Sequence, residues 1–495
     1  MAEIAPDVGV VLPEVDGKRS TTAFGKEVLA DALRTVAPDR AADVDAERDW
    51  RTGYLSHFRA LVEAGVAKPE DALTIARDGL TSLHSRMVVA RDGAEKPLGE
   101  TFASGDPDAF VSATVKGSGE RRTELAIPYR GERLTGDALQ RRLDDWVSAG
   151  VIEPSCADAV RTVAAHPDWL DLSDRRVVVL GAGAEMGPLP ALLAWGADLV
   201  GIDLPSGALW HRVLATARKG AGTLTVPIRA AAAPSTEDDA VIAAVAGANL
   251  LVDGPALVPW LAAHDDRPLV IGNYVYADGV LNLRVATAVD ALSVALLERR
   301  RDSALAFLAT PTDVFAVPPE VVEDARRRWR GVGPVARLRA PLRAASGGRL
   351  FRPHYRRTFA GGVGIADSIV PQQGPNYALA KRLQRWRGYA AAADGVTVSL
   401  NVAPPTRTRS VVKNRALAAA YAGAKRFGIE VFDPATSNTL MAALLVHDLR
   451  TGTPAGHPHD MEVSGAAHGG LWRNAYEPRS VLGLAVLMGL GGARS

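Results

Sequence analysis

The sequence predicts an α/β protein built on a doubly wound parallel sheet. Three observations carry this prediction: short apolar runs that recur along the chain, amphipathic segments that separate them, and a glycine turn directly after the first run. Short continuous apolar runs are typical of strands that are buried on both faces of a sheet. Their alternation with helices over residues 171–435 therefore indicates a parallel sheet that is covered by helices on both sides.

The first apolar run, residues 177–180, is followed at once by Gly181, Gly183 and Gly187. Glycine allows a tight turn and lets a phosphate approach main-chain N–H groups that a Cβ atom would block. Pro188 then stands where a first helical residue is expected, since its missing N–H is not needed there. The pattern predicts a strand, a turn that binds phosphate and a helix.

An acid completes this βαβ unit. Residues 199–202 predict the second strand, and Asp203 stands at its carboxyl end, where a carboxylate accepts from ribose hydroxyls. Because such an acid repels a 2′-phosphate and no arginine follows at 204–206, we expect NAD rather than NADP as the cofactor. S-adenosylmethionine enzymes use a similar turn and acid, so that cofactor is an alternative. The predicted cofactor-binding residues of this unit are Gly181, Gly183, Glu185, Met186, Gly187 and Asp203.

The alternation continues beyond Asp203. We predict further strands at 222–228, 248–252, 269–276 and 304–309, and helices at 257–263 and 282–299. Ligands of doubly wound sheets gather at the carboxyl ends of the strands. Asp253 and Gly254, which follow the predicted strand 248–252, are therefore candidate cofactor-binding residues.

Composition sets broad limits. The 495 residues are 47% hydrophobic and 23% charged, with a net charge of +1, so no overall basic field points to nucleic acid. Cys156 is the single cysteine, which excludes an internal disulfide, and we expect it to be a packing residue.

We expect no membrane span, since the most apolar stretch found, 481–490, is too short. The acidic N-terminus does not resemble a signal peptide, so we expect a cytoplasmic protein.

The regions before and after the predicted sheet read differently. Residues 1–170 predict a mainly helical accessory region, suited to covering substrate or to contacts in a homo-oligomer, and residues 436–495 a C-terminal extension of helix and loop. The helices expected outside the sheet core are 24–37, 54–67, 69–88, 134–152 with Thr135 as N-cap, 411–427, and 437–449 with Ser437 as cap, and short strands are expected at 123–129 and 429–432.

An arginine-rich insertion spans residues 325–365. Eleven arginines and no acid lie between Ala325 and Arg357. The segment is either a solvated basic insertion or a clamp for an anionic substrate such as a phosphate, a carboxylate or a coenzyme A ester, which suit guanidinium geometry. Aromatic residues are sparse here, which argues against nucleic acid as the partner.

A second constellation suggests a reaction. Tyr377 and Lys381 are four residues apart on a predicted helix and so share a face. A predicted strand, 396–402, follows, and then a proline turn that includes Pro404 and Thr406. These features resemble the active-site half of the short-chain dehydrogenase/reductase family, of which the chain would be a divergent, Rossmann-like member over about 172–412.

This resemblance implies roles for individual residues. Tyr377 would be the acid/base, and Lys381 would contact the ribose and lower the pKa of the phenol, which is ordinarily about 10. A third group would hold the substrate oxygen, and Thr310, Thr312 and Ser368 are its candidates. Pro404 and Thr406 would line the cofactor site. The chain departs from the family in its glycine spacing and in having Asp253-Gly254 where the family has an Asn-Asn-Ala-Gly stretch.

The C-terminal histidines do not predict a metal site. His457, His459 and His468 lie near Asp448 and Asp460 in the sequence, but no pair has the spacing of ligands on a helix.

The sequence leaves three functions open. The chain is an NAD(P)-dependent oxidoreductase acting on a carbonyl or alcohol of a small anionic or acyl-linked substrate, an S-adenosylmethionine-dependent methyltransferase, or a non-catalytic nucleotide-binding scaffold.

Overall fold

The computed structural model describes residues 7–490 apart from 235, 237, 265, 332 and 333. The first six residues, part of the N-terminus that does not resemble a signal peptide, lie outside the described range. The helices are α1 (Thr21–Arg34), α2 (Pro38–Ala46), α3 (Trp50–Gly65), α4 (Pro69–Arg86), α5 (Leu98–Ala103), α6 (Gly136–Ala149), α7 (Pro154–Ala165), α8 (Leu189–Ala194), α9 (Gly207–Lys219), α10 (Asp239–Val245), α11 (Leu250–Ala262), α12 (Gly279–Arg299), α13 (Pro319–Arg330), α14 (Pro334–Ala345), α15 (Pro375–Ala393), α16 (Arg409–Lys413), α17 (Arg415–Ala424), α18 (Pro434–Thr451), α19 (Pro458–Val463) and α20 (Pro478–Gly489). The strands are β1 (Gly9–Val11), β2 (Val88–Arg91), β3 (Ala94–Pro97), β4 (Phe110–Lys116), β5 (Ile127–Tyr129), β6 (Glu132–Leu134), β7 (Arg176–Leu180), β8 (Asp198–Ile202), β9 (Thr223–Arg229), β10 (Leu269–Asn273), β11 (Ala304–Ala309), β12 (Val314–Val317), β13 (Gly364–Asp367) and β14 (Val398–Val402).

A seven-stranded sheet forms the centre, in the order β14-β11-β10-β7-β8-β9-β4. Six neighbouring strands run parallel, and β4 closes one edge antiparallel to β9. The predicted α/β class is therefore confirmed. The predicted strands 177–180, 199–202, 222–228 and 304–309 coincide with β7, β8, β9 and β11 to within a residue or two.

Side chains of these strands point alternately to two different cores, as the pleat of a strand requires. Val178 and Leu180 of β7 face the core that contains α1, α3, α4, α11, α12 and α15. Val177 and Val179 face the opposite core, with α6, α7, α8, α9 and α18. The sheet is thus covered by helices on both faces, which leaves its carboxyl edge as the place where loops meet.

One predicted strand is wrong. Residues 248–252 enter helix α11 instead, because Asn249 caps that helix by accepting a hydrogen bond from the N–H of Leu251. Pro255 and Pro259 lie inside α11 and did not end it. The fourth parallel strand of the sheet is β10, within the predicted run 269–276.

Smaller differences concern the C-terminal half. The predicted helix 411–427 is divided at Asn414 into α16 and α17, and the predicted strand 429–432 contributes one bridge, from Phe432 to Thr406. Helix α18 begins at Pro434, so Ser437 lies inside the helix and does not cap it. Thr135 does stand at the N-cap of α6, but its side chain makes no capping hydrogen bond.

The N-terminal region is mainly helical as predicted. Helices α1, α3 and α4 match the predicted segments, and α2 is an additional helix between α1 and α3. Helix α4 packs on α15, and β4 joins the central sheet across 107 residues of chain, from Lys116 to its partner Thr223. Residues 1–170 therefore complete the core of the sheet as well as covering it.

Two chain segments build a cap at the carboxyl edge. One leaves β11 and includes α13 and α14 between the paired strands β12 and β13, and the other leaves β14 and includes α16 and α17. Helix α20 packs along α17, and Phe351, Phe427 and Tyr476 form a small separate core with it. We call α13, α14, α16, α17 and α20 the cap.

The longest apolar helix was not foreseen as such. Helix α12 has 21 residues and is long and apolar enough to cross a membrane by length and composition alone, although the sequence led us to expect no such stretch. In the structure 78% of its most apolar window is buried, between α11 and α15. It therefore has the surroundings of a core helix.

Candidate functional site

The glycine turn lies at the carboxyl edge, where β7 ends between β8 and β10. Gly181 has φ of +88°, and a Cβ there would come within about 3.0 Å of the main chain of Tyr274. This glycine is therefore required by the close approach of the loop after β10. A Cβ on Gly187, in contrast, would make only ordinary contacts at 3.4 Å or more. The protein's own packing does not require a glycine at that position.

Asp203 holds the turn from the tip of β8. Its Oδ2 accepts a hydrogen bond from the N–H of Gly183 at 2.8 Å, and its Oδ1 accepts one from the N–H of Leu204 at 2.8 Å. Burial raises the pKa of this carboxyl, and the two N–H groups and Arg212 oppose that rise. A carboxylate has about four acceptor positions, so two remain for hydroxyl groups of a ligand.

A contact between two loops joins the glycine turn to the segment that follows β14. Glu185 of the turn accepts from the main-chain N–H of Arg409 at 2.8 Å and pairs with its guanidinium at 3.1 Å. Arg409 follows β14, which lies three strand positions from β7, or about 14 Å. The tips of β10 and β11 thus lie between the two loops that this ion pair joins. Within the described residues no hydrogen bond is seen to the N–H of Glu185 or Met186.

Tyr377 lies at the tip of β11. It stands in the first turn of α15, beside Thr310, the residue directly after β11. The Thr310 and Thr312 hydroxyls are 2.9 Å apart. Burial raises the pKa of Tyr377 to about 12, and the nearby Thr310 hydroxyl opposes this rise. The structure therefore brings together three of the residues that the sequence singled out.

Lys381 lies one turn further along α15. Its Nζ donates to the main-chain oxygen of Leu308 at 3.3 Å and to Gln384 at 3.1 Å. Burial lowers the pKa of this ammonium to about 8, although Asp313 favours the charged form. The expectation that Lys381 lowers the pKa of Tyr377 does not hold here, because that pKa is raised by burial and the ammonium is directed at a carbonyl and an amide.

Ser368 lies beside a buried ion network. Its N–H donates to the main-chain oxygen of Asp313 at 3.0 Å, and its side chain is fully buried with no hydrogen-bond partner among the described residues. The Asp313 carboxylate binds Arg382 and Arg385 at 3.0 and 2.8 Å. Of the candidate hydroxyl residues, Thr310 is the one that acts on the pKa of Tyr377.

The remaining predicted cofactor residues face into the protein. Asp253, in the first turn of α11, accepts from the N–H of Asn249 at 2.8 Å and pairs with Arg229. A Cβ on Gly254 would lie within 2.7 Å of the Phe102 ring, so this glycine makes room for α5.

The proline turn after β14 is equally enclosed. Thr406 donates to the main-chain oxygen of Pro404 at 2.8 Å, and its hydroxyl lies 2.6 Å from that of Ser437. The side chain of Thr406 is buried. These contacts fix the turn in place against α18.

Three neighbours of Tyr377 were not identified from the sequence. The ring of Tyr276, in the loop after β10, meets that of Tyr377 at 6.1 Å between centroids, and Tyr421 of α17 is close enough to raise its pKa. Gln373 donates to the Thr312 hydroxyl at 2.8 Å. The sequence offered only their positions as a signal for these neighbours. Tyr276 ends an apolar run, and Gln373 lies just before α15.

Some arginines of the arginine-rich insertion bind residues close to them in the fold. Arg339 and Arg343 lie over the Trp329 ring, at 4.2 and 6.0 Å, and Arg328 pairs with Asp324 at 3.2 Å. None of the contacts described for these arginines reaches Tyr377.

The C-terminal histidines are dispersed, and no group of three metal-binding side chains is found among the described residues. His468 is fully buried, stacks on Trp472 and pairs with Glu153 at 2.8 Å, as a packing residue would. Cys156 is also fully buried, which confirms its predicted packing role.

No protein-family model matches this chain, and no curated protein matches it either.

Proposed function

We propose that the protein is an NAD-dependent oxidoreductase of the short-chain dehydrogenase/reductase type that reduces a carbonyl group of a small substrate in the cytoplasm. The observation that carries this proposal is the position of Tyr377 beside Thr310. Thr310 follows the tip of one parallel strand and Tyr377 lies in the first turn of the helix that leads to the next strand, with the glycine turn at the same edge of the sheet.

The order of the strands supports a dinucleotide as the cofactor. Counted along the chain from β7, the six parallel strands lie in the order 3-2-1-4-5-6, which is that of Rossmann-like sheets that bind dinucleotides. The order reverses between β7 and β10, and ligands of such sheets bind in the crevice at that reversal. The turn from Gly181 to Gly187 and the loop that begins at Tyr274 border this crevice.

The residues present fit such a group. The N–H groups of Glu185 and Met186 have no partner in the described part of the chain and suit a pyrophosphate, Gly187 leaves room that its own neighbours do not need, and Asp203 retains acceptor positions for ribose hydroxyls. When bound, the nicotinamide supplies or accepts the hydride. Arg212 acts on Asp203, so the 2′-phosphate of NADP deserves a direct test.

The chain's own residues would handle the proton. With a pKa of about 12 the Tyr377 phenol keeps its proton at neutral pH, so it suits a general acid better than a general base. It would donate that proton to the oxygen of the carbonyl as an alkoxide develops, while Thr310 holds the phenol and stabilises the phenolate left behind. At neutral pH the protonated phenol is the form that carbonyl reduction requires.

The test compares two tyrosines. Tyr377→Phe is expected to lower turnover of NADH on a panel of anionic and acyl-linked carbonyl compounds by about 10²- to 10⁴-fold, the usual contribution of a positioned acid, while NADH affinity is kept. Tyr276→Phe removes a neighbouring phenol that is bonded to Asp278 and not to Thr310, so turnover should change little. Full activity of Tyr377→Phe would refute the proposed role.

Titrations of the wild-type protein separate the other functions. Calorimetry with NADH, NADPH and S-adenosylmethionine measures which ligand binds, and Asp203→Ala should weaken it. Binding of S-adenosylmethionine in place of NADH would replace this proposal with a methyltransferase. NADH binding without turnover of any carbonyl compound would favour the nucleotide-binding scaffold.

A further inference from the structure

A cavity of about 180 Å³ is lined partly by residues of the cap. Three arginines from three separate segments line it: Arg328 of α13, Arg426 directly after α17, and Arg473 in the loop before α20. The other lining residues are Ala149, Phe427, Gly428, Gly470, Asn474, Ala475 and Tyr476. Segments far apart in the chain thus direct guanidinium groups toward one space.

Two of these arginines form ion pairs with buried carboxylates. Glu153 binds Arg473 at 2.7 and 2.8 Å, and Asp324 binds both Arg473, at 3.3 Å, and Arg328, at 3.2 Å. Both carboxylates are buried, whereas Arg328 remains 35% exposed. The buried carboxylates therefore fix the orientation of guanidinium groups whose remaining N–H donors stay available to a ligand.

Gly150 allows this arrangement. It ends α6 with φ of +70°, and a Cβ there would lie 2.7 Å from Nη2 of Arg328 and 2.9 Å from Cδ of Arg473. The backbone thus makes way for two like-charged side chains to approach each other. Such an approach costs electrostatic energy unless counter-charge is supplied.

The third arginine supplies charge without a partner. No ion pair or hydrogen bond of Arg426 is found within the described residues, and its side chain is exposed. The other two lining arginines, Arg328 and Arg473, are balanced by the two carboxylates Asp324 and Glu153, so the charge of Arg426 is left over. Burial lowers the pKa of His468, the other partner of Glu153, so that it adds no charge at neutral pH.

We propose that this cap cavity binds a phosphate group. The uncompensated charge of Arg426 favours an anion, and the fork geometry of the three arginines suits the oxygens of a phosphate. The site uses none of the residues of the proposed oxidoreductase site, so it is a second, separate binding site. The phosphate is either the free ion or the phosphate of a small monoester.

The test is titration of the full-length protein with inorganic phosphate by calorimetry, at constant ionic strength adjusted with chloride. We expect saturable binding that Arg426→Gln weakens by about tenfold or more, since a charge-assisted hydrogen bond to phosphate is lost. Because Arg426 makes no hydrogen bond or ion pair among the described residues, the variant should fold and keep its thermal midpoint without phosphate.

Lys425→Gln is the matched control, since it removes one positive charge from the neighbouring exposed position, which does not line the cavity. It should change phosphate affinity by less than about twofold, as expected for a screened surface charge. Equal weakening by the two variants, or no saturable binding of phosphate, would overturn the proposal. A parallel titration with phenyl phosphate identifies the source: tighter binding than phosphate assigns a monoester, and equal or weaker binding assigns the free ion.

Discussion

Two parts of helix α15 differ in whether their charged and polar side chains are paired with carboxylates. Its middle carries Arg382, Arg385 and Arg387, and each is paired with a buried carboxylate: Asp313 binds the first two, and Asp290 binds Arg387 at 2.7 Å. Its first turns carry Tyr377, which lies beside the Thr310 hydroxyl, and Lys381, which donates to a carbonyl and an amide oxygen.

The electrostatic consequences differ accordingly. Burial alone would raise the pKa of the Asp313 carboxyl, but Arg382 and Arg385 lower it below its usual range. Burial without a bonded carboxylate instead lowers the pKa of Lys381 to about 8 and raises that of Tyr377 to about 12. The middle of the helix therefore pairs its arginines with carboxylates. Its first turns, at the strand tips, hold buried polar groups that have no carboxylate partner. Protein sites that carry out proton chemistry commonly have such shifted groups.

The paired region should be the more sensitive to loss of a partner. Asp313→Asn removes the carboxylate that Arg382 and Arg385 share and leaves their buried charges to Glu462 alone. Breaking a buried ion pair typically costs about 3–5 kcal/mol, and we expect a loss of that size in the free energy of unfolding. Urea titrations followed by tryptophan fluorescence measure it.

Asp394→Asn is the control for this substitution. Asp394 pairs with Arg77 at 2.6 Å, but their side chains are 61% and 50% exposed. Exposed pairs contribute about 0–1 kcal/mol, so little stability should be lost. Similar losses in the two variants would mean that the Asp313 network does not behave as a buried ion pair.

This contrast also explains what could be foreseen from the sequence. Strands buried on both faces produce continuous apolar runs, and the runs at 177–180 and 304–309 identified β7 and β11 together with the loops at their tips. Tyr377 and Thr310 could be named because spacing on a helix and position after a strand are local properties. Their contact is local to one β-α-β segment, although 67 residues of chain separate them.

The failures have physical causes as well. A short apolar run does not distinguish a strand from a buried helix, and residues 248–252 proved to be the start of α11. The pKa of Tyr377 depends on burial and on Tyr421 of the cap. Sequence spacing along one helix does not predict either of these effects. Of the arginines that were conspicuous in sequence, in 325–365, some pair or stack within the cap and others are exposed, whereas Arg385, which is fully buried with Glu462, lies outside that run. Sign and density of charge along a chain do not reveal which charges find partners in three dimensions.

The unpaired region should gain stability when its charge is removed. Since the pKa of Lys381 falls from 10.5 to about 8 on folding, the folded state disfavours the ammonium. Below pH 8 both states are protonated and the penalty is fully present. Between pH 8 and 10.5 the unfolded state binds more protons, so the stability of the wild-type protein rises with pH from this group. Lys381→Met is therefore expected to add about 1–3 kcal/mol at pH 7, allowing for the hydrogen bonds lost, and the gain should fade toward pH 10.5.

Free energies of unfolding at pH 7 and pH 10 check this expectation. Lys425→Met makes the same change at an exposed position and should stay within about 0.5 kcal/mol of the wild type at both pH values. A Lys381→Met variant that is less stable than the wild type at pH 7, or whose advantage does not depend on pH, would show that Lys381 is adequately solvated or paired. Such a result would remove the electrostatic difference between the two parts of α15.

The smallest expected effect concerns the interaction between the Tyr377 and Thr310 hydroxyls, and it can be measured without any substrate. In a double-mutant cycle of Tyr377→Phe and Thr310→Val, the unfolding free energies should show a coupling of up to about 1 kcal/mol, the size of a neutral hydrogen bond. A second cycle pairs Thr310→Val with Tyr276→Phe, whose hydroxyl bonds Asp278 at 2.6 Å, and its coupling should be close to zero. Equal couplings in the two cycles would mean that Thr310 senses the aromatic cluster as a whole. The Tyr377 phenol would then lack the specific hydroxyl partner that distinguishes it from Tyr276, and its selection as the proton donor would lose its structural basis.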